Sequence, residues 1–238
     1  MNRSLARSSI YNILSLCLTY PDREVFSWIV GGEWIKKLRE SLSLLTEKGF
    51  DEYLQSFKEI LARNKDDLSI ELIREYTQLF ITASPHVVVP PCGGVYLEGG
   101  KKNFGRSTAE VLKFYHELGC CLKEDPGDLP DHIAHELEFM AHQTGKEAQV
   151  SGSEKVRLEE VQITFMTRFL QPWVSEFCQK VIQQSHSAFY RVLGKLTKDY
   201  IQLEKNYLGI PEEMDSHNDR EIENKRGINS VEGIKSSI

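Results

Sequence analysis

The densest concentration of reactive side chains is Pro130-Asp131-His132-Ile133-Ala134-His135-Glu136-Leu137-Glu138-Phe139-Met140-Ala141-His142. On a helix, at about 100° per residue, Ile133, Leu137 and Met140 share one face. His132, His135, Glu136, Phe139 and Gln143 share the opposite one. Three kinds of chemistry fit this second stripe. It could be a solvated face, with Asp131 complementing the helix N-terminus by about 0.3–1 kcal/mol. It could hold a metal through His132, His135 and Glu136. The order here is H-x-x-H-E, however, which is neither the zincin H-E-x-x-H nor the inverted H-x-x-E-H, and no two helices carry the E-x-x-H of carboxylate-bridged di-iron bundles. It could also be a recognition surface for a basic, apolar peptide. Asp131 would then meet a guanidinium, His132 would act as donor or acceptor, and Phe139 would form an apolar floor.

Other chemistry is poorly supported. No Ser sits in a G-x-S-x-G elbow, and Cys92 has only His86 nearby, so it reads as a small apolar residue in a turn. Gly99-Gly100-Lys101-Lys102 does not meet the phosphate-loop pattern. The five cysteines, at 17, 92, 120, 121 and 178, form no C-x-x-C pair, which points to a reduced, cytoplasmic chain. Cys120 and Cys121 are expected to be one buried and one exposed thiol after a helix end. Net charge is −6 over 238 residues, so there is no general attraction to nucleic acid or anionic lipid. The longest apolar runs, such as Val87-Val88-Val89, are far short of the roughly 20 residues a membrane helix needs. Arg3 and Arg7 before Ile10–Leu18 superficially copy a signal peptide. Asn12 and Ser15 interrupt that run, though, and Tyr20-Pro21-Asp22 replaces a cleavage site, so a mature first helix is expected.

The elements that must position these residues are helical. Ile10, Tyr11, Leu14, Cys17 and Leu18 form one apolar stripe; Tyr53, Leu54, Phe57, Ile60 and Leu61 form another. Leu72, Tyr76, Leu79 and Phe80 repeat the spacing, as do Leu158, Val161, Phe165 and Phe169. Leu193, Leu196, Tyr200, Leu203 and Tyr207 mark a long final helix. Ser107 with Glu110 predicts a capping box, and Gly119 a helix end. Pro130 is expected in a first helical turn capped by Asp128. Pro172 divides two helices or starts the last one, and Pro211 ends it. From about Thr82 to Arg106 runs a long Pro/Gly-rich loop, too apolar for a linker, that is expected to pack on the helices and present something. The expectation is an all-α, single-domain helical bundle over residues 1–210, with a disordered polar tail over 211–238.

Four stretches resemble the TorD/DmsD/NarJ family of molybdoenzyme maturation chaperones. They are Tyr11-x-x-Leu14 with Tyr20-Pro21-Asp22, Glu75-Tyr76-Thr77-Gln78-Leu79-Phe80, Pro90-Pro91-Cys92-Gly93-Gly94-Val95-Tyr96-Leu97, and Leu129-Pro130-Asp131-His132 with Glu136-Leu137-Glu138-Phe139-Met140. The resemblance implies a TorD-like bundle without a cofactor that binds the apo catalytic subunit of a molybdopterin oxidoreductase. Such a chaperone often grasps the client's N-terminal twin-arginine leader, or a remnant of it, and assists cofactor insertion before export. It implies a cytoplasmic protein, a monomer or domain-swapped dimer, with no nucleic acid and no membrane insertion. Its peptide-binding positions carry over to Tyr76, Leu79, Phe80, Pro91, Cys92, Tyr96, Asp131 and His132; Glu136 is added from the helix-face geometry. Each has a structural alternative. Leu79 and Phe80 are about 100° apart, so one belongs in the core, Tyr76 could pack inward, and Pro91 and Tyr96 could only shape the loop. Cys92 departs from the family, which often has an aromatic residue there. The competing functional readings are a helical metal- or nucleotide-dependent hydrolase using the His132, His135 and Glu136 face, and a general adaptor for another exported protein.

Overall fold

Serines of the first helix set the register of the bundle. In a computed structural model of the chain, describing residues 2–46, 49–82, 86–99, 105–120 and 129–211, α1 (Arg3–Cys17) runs antiparallel to α8 (Ile133–Glu147). Ser4 Oγ donates to Glu147 at 2.6 Å, Ser8 Oγ to the Ala141 carbonyl at 2.7 Å and Ser15 Oγ to the Ala134 carbonyl at 2.8 Å. Small hydroxyl residues let the two backbones approach while satisfying their own polar groups. The other face of α1, with Ile10, Leu14 and Cys17, is fully enclosed.

Around this pair lie α2 (Arg23–Gly31), α3 (Glu33–Leu42), α4 (Asp51–Leu61), α5 (Lys65–Tyr76), the short α6 (Gly93–Leu97), α7 (Arg106–Glu117), α9 (Ser153–Phe165), α10 (Gln171–Gln184) and α11 (Ala188–Tyr207). No strand forms among the described residues; Cys92 and His132 make one isolated antiparallel bridge. The apolar stripes read from the sequence are buried or partly buried, except that Tyr207 is exposed beside Arg7. Asp22 of Tyr20-Pro21-Asp22 caps α2, accepting from the Glu24 and Val25 N–H groups at 2.9 Å each. Glu75 is buried and accepts from Ser185 Oγ and the His186 and Ser187 N–H groups, which ties α5 to the start of α11.

Several boundaries differ from expectation. α7 begins at Arg106, with Ser107 inside its first turn; Glu98 takes the Ser107 N–H and hydroxyl, while Glu110 pairs with Arg106. Pro172 stands in the first turn of α10, the helix that follows α9, and does not start the last helix, α11. α9 runs through a π-helical segment, Met166–Leu170, directly into α10, and the wider turn absorbs a proline that has no N–H to donate. Gly119 and Gly209, both at φ +67°, end α7 and α11, so Pro211 follows a helix that has already stopped. Asp128, Cys121, residues 83–85 and 100–104 of the Pro/Gly-rich loop and residues 212–238 of the expected tail lie outside the described residues.

Candidate functional site

α5 does not end at Tyr76 but widens into a π-helical turn, Thr77–Ile81. This register buries both Leu79 and Phe80 and turns Ile81 outward, 53% exposed. Phe80 packs between Tyr76 (4.9 Å between ring centroids), Tyr190 and Phe177. Tyr20 meets Tyr76 edge-on at 5.4 Å. The Pro-rich segment then lies across this turn, with the Val89 N–H bonded to the Leu79 carbonyl at 2.8 Å.

The same segment is clamped to the entrance of α8. The Ile133 N–H donates to the Pro91 carbonyl at 2.8 Å, and the Gly93 N–H to the Asp131 carbonyl at 2.9 Å. Tyr96 donates to the Pro90 carbonyl and stacks on Trp173. Two glycines make the approach possible: a Cβ on Gly93 would lie 2.7 Å from Trp173 Nε1, and one on Gly94 would lie 3.0 Å from Asp131 Oδ2. Between the π turn, the segment and the turn before α8 lies a groove of about 410 Å³. Tyr20, Tyr76, Phe80, Ile81, Val87, Pro90, Pro91, Cys92, Val95, Leu129 and His132 line it, none of them carrying a formal charge when His132 is neutral.

Of the nine residues read from the sequence, Tyr76, Phe80, Pro91, Cys92 and His132 meet in this groove; Leu79, Tyr96, Asp131 and Glu136 do not line it. For Asp131 the reason is a shifted helix start. α8 begins at Ile133 with His132 as its N-cap, and Pro130 lies in the preceding turn rather than in the helix. Asp131 therefore points inward, 1% exposed, where Oδ2 accepts from the Gly94 N–H at 2.7 Å and the Thr108 hydroxyl at 3.0 Å. Its Oδ1 has no hydrogen-bond partner among the described residues. Burial raises the Asp131 pKa.

Glu136 is equally enclosed, with Oε2 accepting from Trp173 Nε1 at 3.2 Å. Burial, then the nearby Asp131 charge, push its pKa well up. The helix face expected to be polar is thus largely interior: Phe139 packs on Phe165 and Tyr115, and Gln143 is buried against Cys120. Phe139 does not line the groove.

His132 keeps its place at the groove with a defined role. Its Nδ1 accepts the Ala134 N–H at 3.1 Å, and burial, then His135, lower its pKa to about 3. The ring is neutral with Nδ1 occupied, which leaves Nε2–H as its donor. The metal reading fails on direction. Glu136 turns to Trp173, His135 pairs with Glu138 at 3.8 Å beside a separate hollow, and no group of three metal-ligating side chains forms among the described residues. Trp173, Thr108 and Ile81 went unread in the sequence; Trp173 and Thr108 are revealed only by Glu136 and Asp131, which are distant in the chain.

Residues 45–179 match the family model described as nitrate reductase delta subunit. The chain belongs to this family. The matched span holds the π turn, the clamped segment, the entrance of α8 and Trp173, so every lining residue of the groove except Tyr20 lies within it. Among curated proteins, the perchlorate reductase assembly chaperone of Dechloromonas aromatica is 26% identical over 84% of this chain and 89% of its own length. The chaperone TorD of Colwellia psychrerythraea is 26% identical over 85% and 92%. A solved structure described as a redox enzyme maturation protein from Archaeoglobus fulgidus shares the fold, with a TM-score of 0.53 at 21% identity over 82% of this chain and 93% of the other. These relatives carry the names of chaperones, and the chain is a member of a chaperone family rather than of an enzyme family.

Proposed function

We propose that the chain is a client-specific chaperone for the apo catalytic subunit of a molybdopterin-containing oxidoreductase, acting in the cytoplasm while the cofactor is inserted and before export. The perchlorate reductase and TorD relatives support the client class. In this reading the client's N-terminal leader, or its remnant, lies in the groove between the π turn of α5 and the entrance of α8. Tyr76, Phe80, Pro91, Cys92 and His132 contact it; Leu79, Tyr96, Asp131 and Glu136 position the walls. The observation that carries this is an uncharged, largely apolar groove with a neutral histidine donor on one wall and an exposed Ile81 at its rim. Such a surface fits an apolar leader segment with a backbone carbonyl directed to His132 Nε2–H. A cationic pair finds no charged partner in that lining, so its complement lies outside the groove.

The test is titration of a synthetic leader peptide from a molybdoenzyme of the native host against wild type and Ile81→Asp. The rim residue is exposed, so the variant is expected to keep its thermal stability and to bind at least about tenfold more weakly, equivalent to about 1.4 kcal/mol. Equal affinity in a well-folded variant would remove the groove from leader binding. A pull-down from the native host that retains a molybdopterin oxidoreductase subunit on the wild type and loses it on Ile81→Asp would identify the client at the same site.

A further inference from the structure

A second hollow, of about 330 Å³, lies between the end of α7 and α8, and its lining shares no residue with the groove. Cys120 and His142 meet in its wall, beside the rings of Tyr115 and Phe139. The backbone at Cys120 is fixed by the turn that ends α7. Gly119 sits at φ +67° with its N–H bonded to the His116 carbonyl at 3.0 Å, and the Cys120 N–H bonds to the Tyr115 carbonyl at 2.9 Å. Of the described cysteines, Cys17, Cys92 and Cys178 are buried, and Cys120 alone is half-buried. Burial pushes the Cys17 and Cys178 thiols well above their ordinary value, which keeps them protonated and inert.

Two side chains of α8 converge on the Cys120 sulfur. His142 Nδ1 lies 3.8 Å from Sγ, and Gln143 Nε2 donates to Sγ at 3.8 Å. Gln143 is 2% exposed, and among the described residues this sulfur is the only acceptor of its amide. A neutral thiol is a weak acceptor, and a buried N–H that is poorly bonded costs free energy. The amide is therefore matched best when Sγ carries negative charge. Partial burial of the ring, then Lys146, lower the His142 pKa, so the imidazole is neutral near pH 7. In its Nε2–H tautomer, Nδ1 is free to take a proton. The C-terminal end of α7 opposes a standing thiolate, so the proton leaves as the sulfur reacts rather than beforehand.

We propose that Cys120 is a thiol–disulfide exchange site for low-molecular-weight organic disulfides, with His142 as its base and the hollow as the seat of the attached group. His142 Nδ1 takes the thiol proton as the Cys120 sulfur attacks one sulfur of the disulfide. A new S–S bond forms, the old one breaks, and the departing thiolate takes the proton from the imidazolium. Cys–SH and R–S–S–R thus become Cys–S–S–R and R–SH: Cys120 is oxidised and one half of the disulfide is reduced. The hollow favours a disulfide over a peroxide as the oxidant, because it has room beside the sulfur for an organic group with Tyr115 and Phe139 to pack on it. The site is independent of leader binding.

The test uses the full chain carrying Cys121→Ser, so that the neighbouring thiol is not mistaken for Cys120. The chain is incubated with 2-hydroxyethyl disulfide, folded in buffer and unfolded in urea, and the mixed disulfide is located by peptide mass spectrometry. In the folded chain it is expected on Cys120, forming at least about tenfold faster than on the same cysteine in the unfolded chain. His142 is exposed, so His142→Ala is expected to keep the circular dichroism of the fold and to lose that advantage. Added imidazole is expected to restore part of the rate in this variant, which a merely structural role for His142 would not allow. Should His142→Ala not fold, His142→Gln gives the same comparison. A folded-state rate no higher than the unfolded one, an unchanged rate in a folded His142 variant, or reaction at another cysteine instead would overturn the proposal. So would oxidation of Cys120 by hydrogen peroxide without reaction with the disulfide, which would make the thiol peroxide-directed.

Discussion

α8 carries a buried carboxylate pair near each end, and the two pairs are treated in opposite ways. At the C-terminal end Glu147 meets Glu204 of α11, and Arg7 of α1, 0% exposed, stands between them. Its Nη1 donates to Glu147 at 2.9 Å, its Nε and Nη2 grip both Glu204 oxygens, and Nη2 also reaches Gln162 at 2.7 Å. Burial opposes the guanidinium charge, yet Glu204 holds its pKa above the ordinary value. Asp131 and Glu136, at the N-terminal end, have no cation among the described residues; they rely on the Gly94 N–H, the Thr108 hydroxyl and the Trp173 N–H. The helix dipole favours negative charge at that end and opposes it at the other, so the C-terminal pair depends more on a partner charge. One pair locks four helices together, whereas the other is a tense support for the wall of the groove.

Removing the lock should have the largest effect. Arg7→Met leaves Glu204 buried without its cation and Glu147 with only Lys155, 3.7 Å away, and is expected to lose about 3–5 kcal/mol, lowering Tm by about 10 °C or more. A loss below about 1 kcal/mol in urea unfolding would abolish the contrast between the two ends. Gly94→Ala forces a methyl against Asp131 Oδ2 and Thr108 Oγ1. It should cost roughly 1–3 kcal/mol and strip hydrogen-exchange protection from residues 92–97, with the α1–α8 contact unaffected.

Neutralising the unsupported pair should act in the reverse sense. Glu136→Gln can still accept from Trp173 and is expected to be neutral or stabilising by up to about 1 kcal/mol at pH 7. The folded-state pKa of Glu136 is raised, so the native state holds a proton the unfolded chain has lost, and the penalty grows as pH rises above the unfolded value near 4.3. The advantage of the Gln variant should therefore vanish as pH falls to about 4. His132 has the opposite linkage: its lowered pKa gives stability that is present above about 6.5 and is lost as pH falls toward about 3. Parallel pH–stability curves for wild type and Glu136→Gln would show that Glu136 carries no such penalty. The smallest change in stability is expected for His132→Asn, which keeps an N-cap acceptor and should stay within a few tenths of a kcal/mol, while losing Nε2–H and weakening leader binding. Unchanged leader affinity would place that donor outside recognition.

The helical stripes were legible because each is a local period: Leu54, Phe57 and Ile60, or Leu193, Leu196 and Tyr200, can bury together only on one face of a helix. The groove was half legible. Tyr76, Phe80, Pro91, Cys92 and His132 could be read from their segments, but Asp131 and Glu136 were expected at the surface and lie inside. Asp131 turns inward because α8 starts at Ile133 instead of Pro130, which takes the preceding residues out of helical phase, whereas Glu136 is enclosed because Trp173 of α10 covers its side of α8.

Arg7 shows the limit most clearly. Beside Ile10–Leu18 it looked like the charged start of an apolar segment, while its partners Glu147, Gln162 and Glu204 are 140 to 197 residues away. The sequence by itself determined the all-helical class and a Pro/Gly-rich segment packed on the helices, because these follow from local spacing and residue type. Which carboxylates are neutralised, which turn away and leave the groove uncharged, and which oxygen is left without a donor were decided only by tertiary packing. Burial and charge pairing are properties of residues far apart in the chain, and no local period encodes them.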